Sequence, residues 1–190
     1  LRELSLHLLD IAENSIAAGA KRIKITVAED TAKDTFFLSV EDDGKGMDAE
    51  TVQKVVDPFV TSRTTRKVGL GIPLLKEAAE ACNGWLKIES NPGAGTRIDV
   101  QFQRSHIDRM PLGDFANTCL ILFTGNPSIH WIFQYSFDQR DFIFDDEGIK
   151  KELGDFPITE PSMIRYFREL FTEGVSEVKA GSKQELSGKS

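Results

Sequence analysis

From Leu4 to Ala20 apolar side chains recur at helical spacing, with Leu4, Leu8 and Ile11 on a stripe that the small Ser15 continues and Leu1, Leu9 and Ile16 widen. This period predicts a buried helix ending near Gly19. One polar column runs along it, made of Glu3, His7, Asp10 and Asn14. The period then becomes two over residues 22–27 and 36–40, and the polar residues between them can turn the chain, which predicts a hairpin. Its second strand runs into Glu41, Asp42, Asp43, Gly44, Lys45 and Gly46, an acidic strand end followed by a tight turn.

A short helix is predicted around Ala49 to Val56, then a polar, glycine-containing segment over residues 60–71, then a helix from about Ile72 to Cys82. A loop leading into a helix presents backbone N–H groups at which a phosphate can sit. Residues 85–90 and 96–102 read as two further strands around an Asn-Pro-Gly turn. An α/β unit is complete by about Arg104.

Beyond it the texture changes. Residues 105–114 read as a linker, and Asp114 is placed to cap a helix from Phe115 to Phe123. Ile129, Trp131, Phe133, Tyr135 and Phe137 alternate with more polar or smaller residues, Asp138 to Asp141 can turn the chain, and Phe142 and Phe144 continue the pattern. An aromatic stripe at this spacing reads as core. Short and long helices follow at Glu147 to Leu153 and after Pro161, which suits a first helical position. The organisation read from the pattern is residues 1–104, a carboxy-terminal αββαα region at 105–173 that either extends the sheet or forms a small appended domain, and a disordered tail at 174–190.

Composition narrows the classes. The 190 residues suffice for a core without disulfides, and a net charge of -7 argues against a dedicated nucleic-acid surface. The cysteines, Cys82 and Cys119, fit no metal-thiolate spacing, so reduced thiols in a cytoplasmic setting are expected. No apolar run approaches the about 20 residues that span a bilayer. The chain opens on Leu1 and not Met, which reads either as removal of an upstream segment or as an unusual start.

The chemistry-bearing residues occur in a fixed order. Asp10 and Asn14 are one helical turn apart and share a face. Asp42, Gly44 and Gly46 form D-x-G-x-G at a strand end, a polar loop at Thr61 to Lys67 offers hydroxyls and cations, Gly69, Leu70 and Gly71 form G-x-G, and Gly93, Gly95 and Thr96 close the series. Glycines in such places let backbone approach a base or phosphate closely. His7 is surrounded by no phosphoacceptor motif, and His106 and His130 have less support still.

In this order the boxes resemble the Bergerat-fold ATP-binding domain of the GHKL superfamily, shared by gyrase, Hsp90, histidine kinases and MutL proteins, over about residues 1 to 103. Residues 14–20 look most like the MutL version. Residues 41–46, 57–59 and 68–72 look like the histidine-kinase version. Two departures stand out: Ala17 occupies a position where histidine kinases usually carry Lys or Arg, and Asp10 one where gyrase, Hsp90 and MutL proteins carry Glu.

The resemblance implies an α+β fold, an α/β sandwich whose mixed sheet is covered by helices, binding ATP and Mg2+. It implies Asn14 as magnesium ligand, Asp42 as acceptor for the adenine amino group, and Asp10 as the group that orients or deprotonates the acceptor. Contacts from Gly44, Gly46, Thr65, Arg66, Lys67, Gly69, Leu70, Gly71 and Thr96 complete the nucleotide site. The function it implies is a stand-alone kinase that passes the γ-phosphoryl group to a separate partner protein. An ATP-hydrolysing conformational switch of the MutL or Hsp90 type and a nucleotide-binding regulator with little turnover are the alternatives.

Overall fold

A computed structural model describes residues 3–57, 59 and 71–187, with side chains up to residue 181. Helix α1 (Leu4–Ala17) buries Leu4, Leu8, Ile11, Ala12 and Ser15 along one face. Glu3 makes no side-chain cap at its start. Instead the N–H groups of Leu4 and Ser5 donate to the carbonyls of Pro111 and Leu112, each at 2.9 Å, so a distant segment satisfies groups that a helix start leaves open.

Strands β1 (Arg22–Asp30) and β2 (Thr35–Asp42) form the expected hairpin. Helix α2 (Ala49–Val55) is capped by Asp48, and helix α3 (Gly71–Ala81) leads to β3 (Trp85–Asn91) and β4 (Gly95–Gln103). Then come α4 (Phe115–Gly125), capped by Asp114, β5 (His130–Phe137), β6 (Arg140–Asp145), α5 (Asp146–Leu153) and α6 (Pro161–Ser187).

Among the described residues the strands lie in one six-stranded sheet, in the order β3-β4-β2-β1-β5-β6. Neighbours are antiparallel except β1 and β5, which run parallel with Arg22 opposite His130. The carboxy-terminal αββαα region thus extends the sheet. Ile23, Ile25, Val27, Leu38, Val40, Val100, Trp131, Phe133 and Tyr135 are buried. Alternation places them on the face that α1, α3, α4 and α6 cover. The aromatic stripe of β5 is core, as its spacing predicts.

The carboxy-terminal helix corrects one expectation. The tail predicted to be disordered from 174 is helical through Ser187. Phe167, Phe171, Val175 and Val178 are buried at spacings of four, four and three, a stripe that pays for continued helix against the sheet. Gly174 sits inside that helix because a Cβ there would lie 2.3 Å from the ring of Phe142. Among the described residues no helix is long and apolar enough to cross a membrane.

Candidate functional site

The carboxy-terminal half of α1 and the ends of β2 and β4 enclose a cavity of about 300 Å³. Asn14 and Ser15 reach it from the helix, Asp42 and Thr96 from the sheet, while Val40, Met47, Ile72 and Ile98 give it apolar walls. A largely apolar space with a few placed polar groups is the usual form of a small-ligand site.

The Asp42 carboxylate is held on both oxygens. Ser15 Oγ donates to Oδ2 at 2.6 Å and the N–H of Gly44 donates to Oδ1 at 2.8 Å. Asp42 pairs in register with Thr96, and Thr96 with Ser90, so the three side chains form one rung across β2, β4 and β3. Ser90 Oγ lies 2.8 Å from Thr96 Oγ1 and accepts the N–H of Met47 at 2.8 Å.

The loop after Asp42 is fitted closely to its neighbours. Gly46 has φ +68°, and a Cβ there would lie 1.9 Å from the Asn91 carbonyl oxygen; Gly95, at φ +90°, would place one 1.9 Å from the Asp42 carbonyl oxygen. These positions exclude any side chain. Asp43 Oδ1 accepts the N–H groups of Lys21 and Arg22 at 2.7 and 2.9 Å. Slight desolvation of this exposed residue opposes its charge, but those N–H groups together outweigh that effect and hold its carboxyl below the usual range. The turn after α1 is thereby tied to the end of β2.

Of the residues singled out from sequence, Asn14, Asp42, Gly46 and Thr96 line the cavity. Gly44 contributes its N–H to Asp42, and Gly71 opens α3, whose next residue, Ile72, is part of the wall. Asp10 lies one turn before Asn14, half-buried, and is not among the lining residues. Thr65, Arg66, Lys67, Gly69 and Leu70 lie outside the described residues.

Sequence reasoning missed Ser15, Ser90, Lys45 and Met47. Ser15 read only as a small member of the apolar stripe, although its place beside Asn14 aims it at the sheet. Ser90 was legible from register, because pairing across the Asn-Pro-Gly turn puts residue 90 opposite 96. A separate cluster, His130, Asp145 and Asp146, brings its ligand atoms within 4.8 Å of one another around β5, β6 and the start of α5. There Lys150 Nζ already lies 2.5 Å from the fully buried Asp146, so a cation is in place.

A family model described as histidine kinase-, DNA gyrase B-, and HSP90-like ATPase matches residues 1–106. The chain belongs to this family. Among curated relatives, the non-motile and phage-resistance protein of Caulobacter vibrioides is 31% identical over 124 residues, 60% of this chain and 15% of its own length. The sensor histidine kinase YvrG of Bacillus subtilis is 30% identical over 101 residues, covering 51% of this chain and 17% of that protein. The chain thus spans about a sixth of these relatives. Among solved structures, the N-terminal domain of a DNA repair protein has a TM-score of 0.53 at 13% identity, covering 83% of this chain and 59% of that one. That likeness concerns the fold, and its 83% of a 190-residue chain exceeds the 106 residues of the family match.

Proposed function

We propose that this ATPase-family chain binds ATP with magnesium in the cavity between α1 and the sheet and transfers the γ-phosphoryl group to a separate protein in the cytoplasm. The observation that carries the reading is the Asp42 carboxylate, held by Ser15 and Gly44 at the edge of an apolar-walled cavity that Asn14 faces from the helix. An acceptor so fixed suits the amino group of adenine, and the apolar walls suit the faces of its ring.

The donor set fits magnesium: Asn14 offers one neutral amide oxygen, and such an ion prefers hard oxygen ligands while keeping several waters. When bound, the ion neutralises charge on the phosphates. In phosphoryl transfer the protein mainly positions groups and offsets charge. Asp10, one turn from Asn14, would orient or deprotonate the incoming acceptor. Thr65, Arg66 and Lys67 would meet the phosphates, and the backbone N–H groups of Gly69, Leu70 and Gly71 would approach them at the start of α3. The histidine-kinase relative supports transfer to a protein.

A second reading, an ATP-hydrolysing switch, is favoured by the grip of residues 111–112 on the first turn of α1, since any shift of that helix would reach the carboxy-terminal region. Incubation with γ-labelled ATP, with and without lysate of the source organism, separates the readings. Label on an added protein supports transfer, steady phosphate release alone supports the switch, and tight binding with neither supports a regulator. Absence of ATP and ADP binding in magnesium buffer by calorimetry overturns the site. If Asp10→Asn leaves turnover unchanged, Asp10 is not the acid–base group.

A further inference from the structure

We infer that Ser90 is a specificity-determining positioning residue: it fixes the proton of the Thr96 hydroxyl so that Thr96 presents a lone pair, not a proton, to the base. The inference rests on the nucleotide reading of the cavity and concerns which base the cavity accepts. Ser90 is not among the residues lining the cavity and would act only through Thr96.

The argument is a count of protons along the Asp42–Thr96–Ser90 rung. A serine hydroxyl carries one proton and two lone pairs. Ser90 Oγ already accepts the Met47 N–H at 2.8 Å and lies 3.0 Å from the Gly95 carbonyl; since a carbonyl oxygen can only accept, making every one of these bonds sends the Ser90 proton to Gly95. Thr96 Oγ1 lies 2.8 Å from the same Ser90 oxygen. With the Ser90 proton committed to Gly95, the bond between the two hydroxyls is made by the Thr96 proton pointing at Ser90. The Thr96 oxygen is then left with acceptor capacity alone toward the cavity it lines.

Asp42 is likewise supplied from behind, by Ser15 and Gly44. The sheet side of the cavity therefore offers two neighbouring acceptors, Asp42 and Thr96. Adenine carries an amino donor at C6 where guanine carries an acceptor oxygen. Two acceptors side by side match the amino group and meet the guanine oxygen with repulsion. A site whose polar groups are fixed in this way rejects the mismatched base more strongly than one whose hydroxyl is free to turn.

Removing Ser90 releases the Thr96 proton to rotate into the cavity, where it can donate to a guanine oxygen. The experiment is calorimetric titration of the full chain with ADP, GDP and IDP in magnesium buffer. The expected result is that Ser90→Ala lowers the ADP-over-GDP preference at least tenfold, with IDP following GDP. Ser90→Thr, which keeps the hydroxyl, is expected to retain the preference of the parent. In a Thr96→Val background, Ser90→Ala is expected to add no further change, because Ser90 acts through the Thr96 proton.

A preference that moves less than twofold in Ser90→Ala overturns the inference. So does an equal loss in Ser90→Thr, or a change that persists in the Thr96→Val background; that last result assigns Ser90 to support of the Met47 loop instead. ADP binding by the parent chain is the separate check on the nucleotide reading: its absence removes that reading and this inference with it, whereas ADP binding with an unmoved preference removes this inference alone.

Discussion

Ser15 Oγ on α1 donates a 2.6 Å hydrogen bond to Asp42 Oδ2 at the end of β2, so the helix that carries Asn14 and the strand that carries Asp42 are joined through the site itself. The bond fixes one carboxylate oxygen while Gly44 fixes the other. Ser15→Ala should leave the fold intact and weaken ADP binding about fivefold, the equivalent of about 1 kcal/mol for one hydrogen bond. Calorimetry on the variant, with circular dichroism as the control for folding, measures it. An unchanged dissociation constant would show that Gly44 alone suffices to hold Asp42.

Glycine substitutions should separate positions that need glycine from positions that merely have it. Gly95→Ala introduces a Cβ 1.9 Å from the Asp42 carbonyl oxygen at φ +90°, and the expected destabilisation is more than about 3 kcal/mol by strain and overpacking. Gly71→Ala meets nothing within 4 Å of the added atom and has no positive φ. It should be neutral or stabilising by up to about 1 kcal/mol. Urea denaturation of both variants tests the contrast, and a loss of ATP affinity in Gly71→Ala without loss of stability would mark a phosphate contact at the start of α3.

Asp43 predicts a pH dependence. Its folded-state pKa is depressed by the N–H groups of Arg22 and Lys21, which together outweigh the slight desolvation of this exposed carboxylate. As pH falls the unfolded chain takes up the proton first, so the stabilisation is complete above the unfolded carboxylate pKa of about 3.9 and is lost as pH falls through the folded value. Denaturation midpoints measured from pH 6 to pH 3 should drop less steeply for Asp43→Asn than for the parent over the acid end of that range. Parallel curves would refute the role.

Tyr135 tests how firmly the carboxy-terminal strands are built into the sheet. Its hydroxyl donates to Glu29, whose other oxygen accepts from Arg104 Nε at 3.0 Å; Glu29 is 7% exposed. Burial first, then the neighbouring carboxylate, push the phenol far above its ordinary range, so it remains a donor at any working pH. Tyr135→Phe strips a partner from a buried carboxylate and should cost about 1–3 kcal/mol. Unfolding followed at once by near-ultraviolet signal from the buried Trp131 and by far-ultraviolet signal should remain a single transition. Two separated transitions would show that β5 and β6 fold independently of β1.

Legibility in the sequence varied with the range of the interaction involved. The element order, the α1 stripe, the hairpin of β1 and β2 and the aromatic core of β5 follow from period and turn residues within short windows. Asn14, Asp42 and Thr96 were recognisable from the ordered boxes and do line one cavity. Ser15 was not, because a serine on an apolar stripe has no local mark of what stands opposite it, whereas Ser90 follows from pairing its strand with the next across the Asn-Pro-Gly turn. The carboxy-terminal tail misled for a related reason: Gly174 looks like a helix breaker until Phe142 is seen against it.

What the chain determines by itself is its family, its sequence of elements and a set of candidate residues of which Asn14, Asp42, Gly46 and Thr96 line one cavity, since periodicity and glycine spacing act over a few residues. Only the tertiary structure decided that β5 adds to β1 in parallel, that Pro111 and Leu112 hold the start of α1, and that Asp42 on β2 stands opposite the Thr96–Ser90 pair. The physical reason is that such pairings join distant segments. Which open sheet edge a strand finds, and which hydroxyl proton is thereby committed, depend on packing of the whole chain and leave no trace in any local pattern.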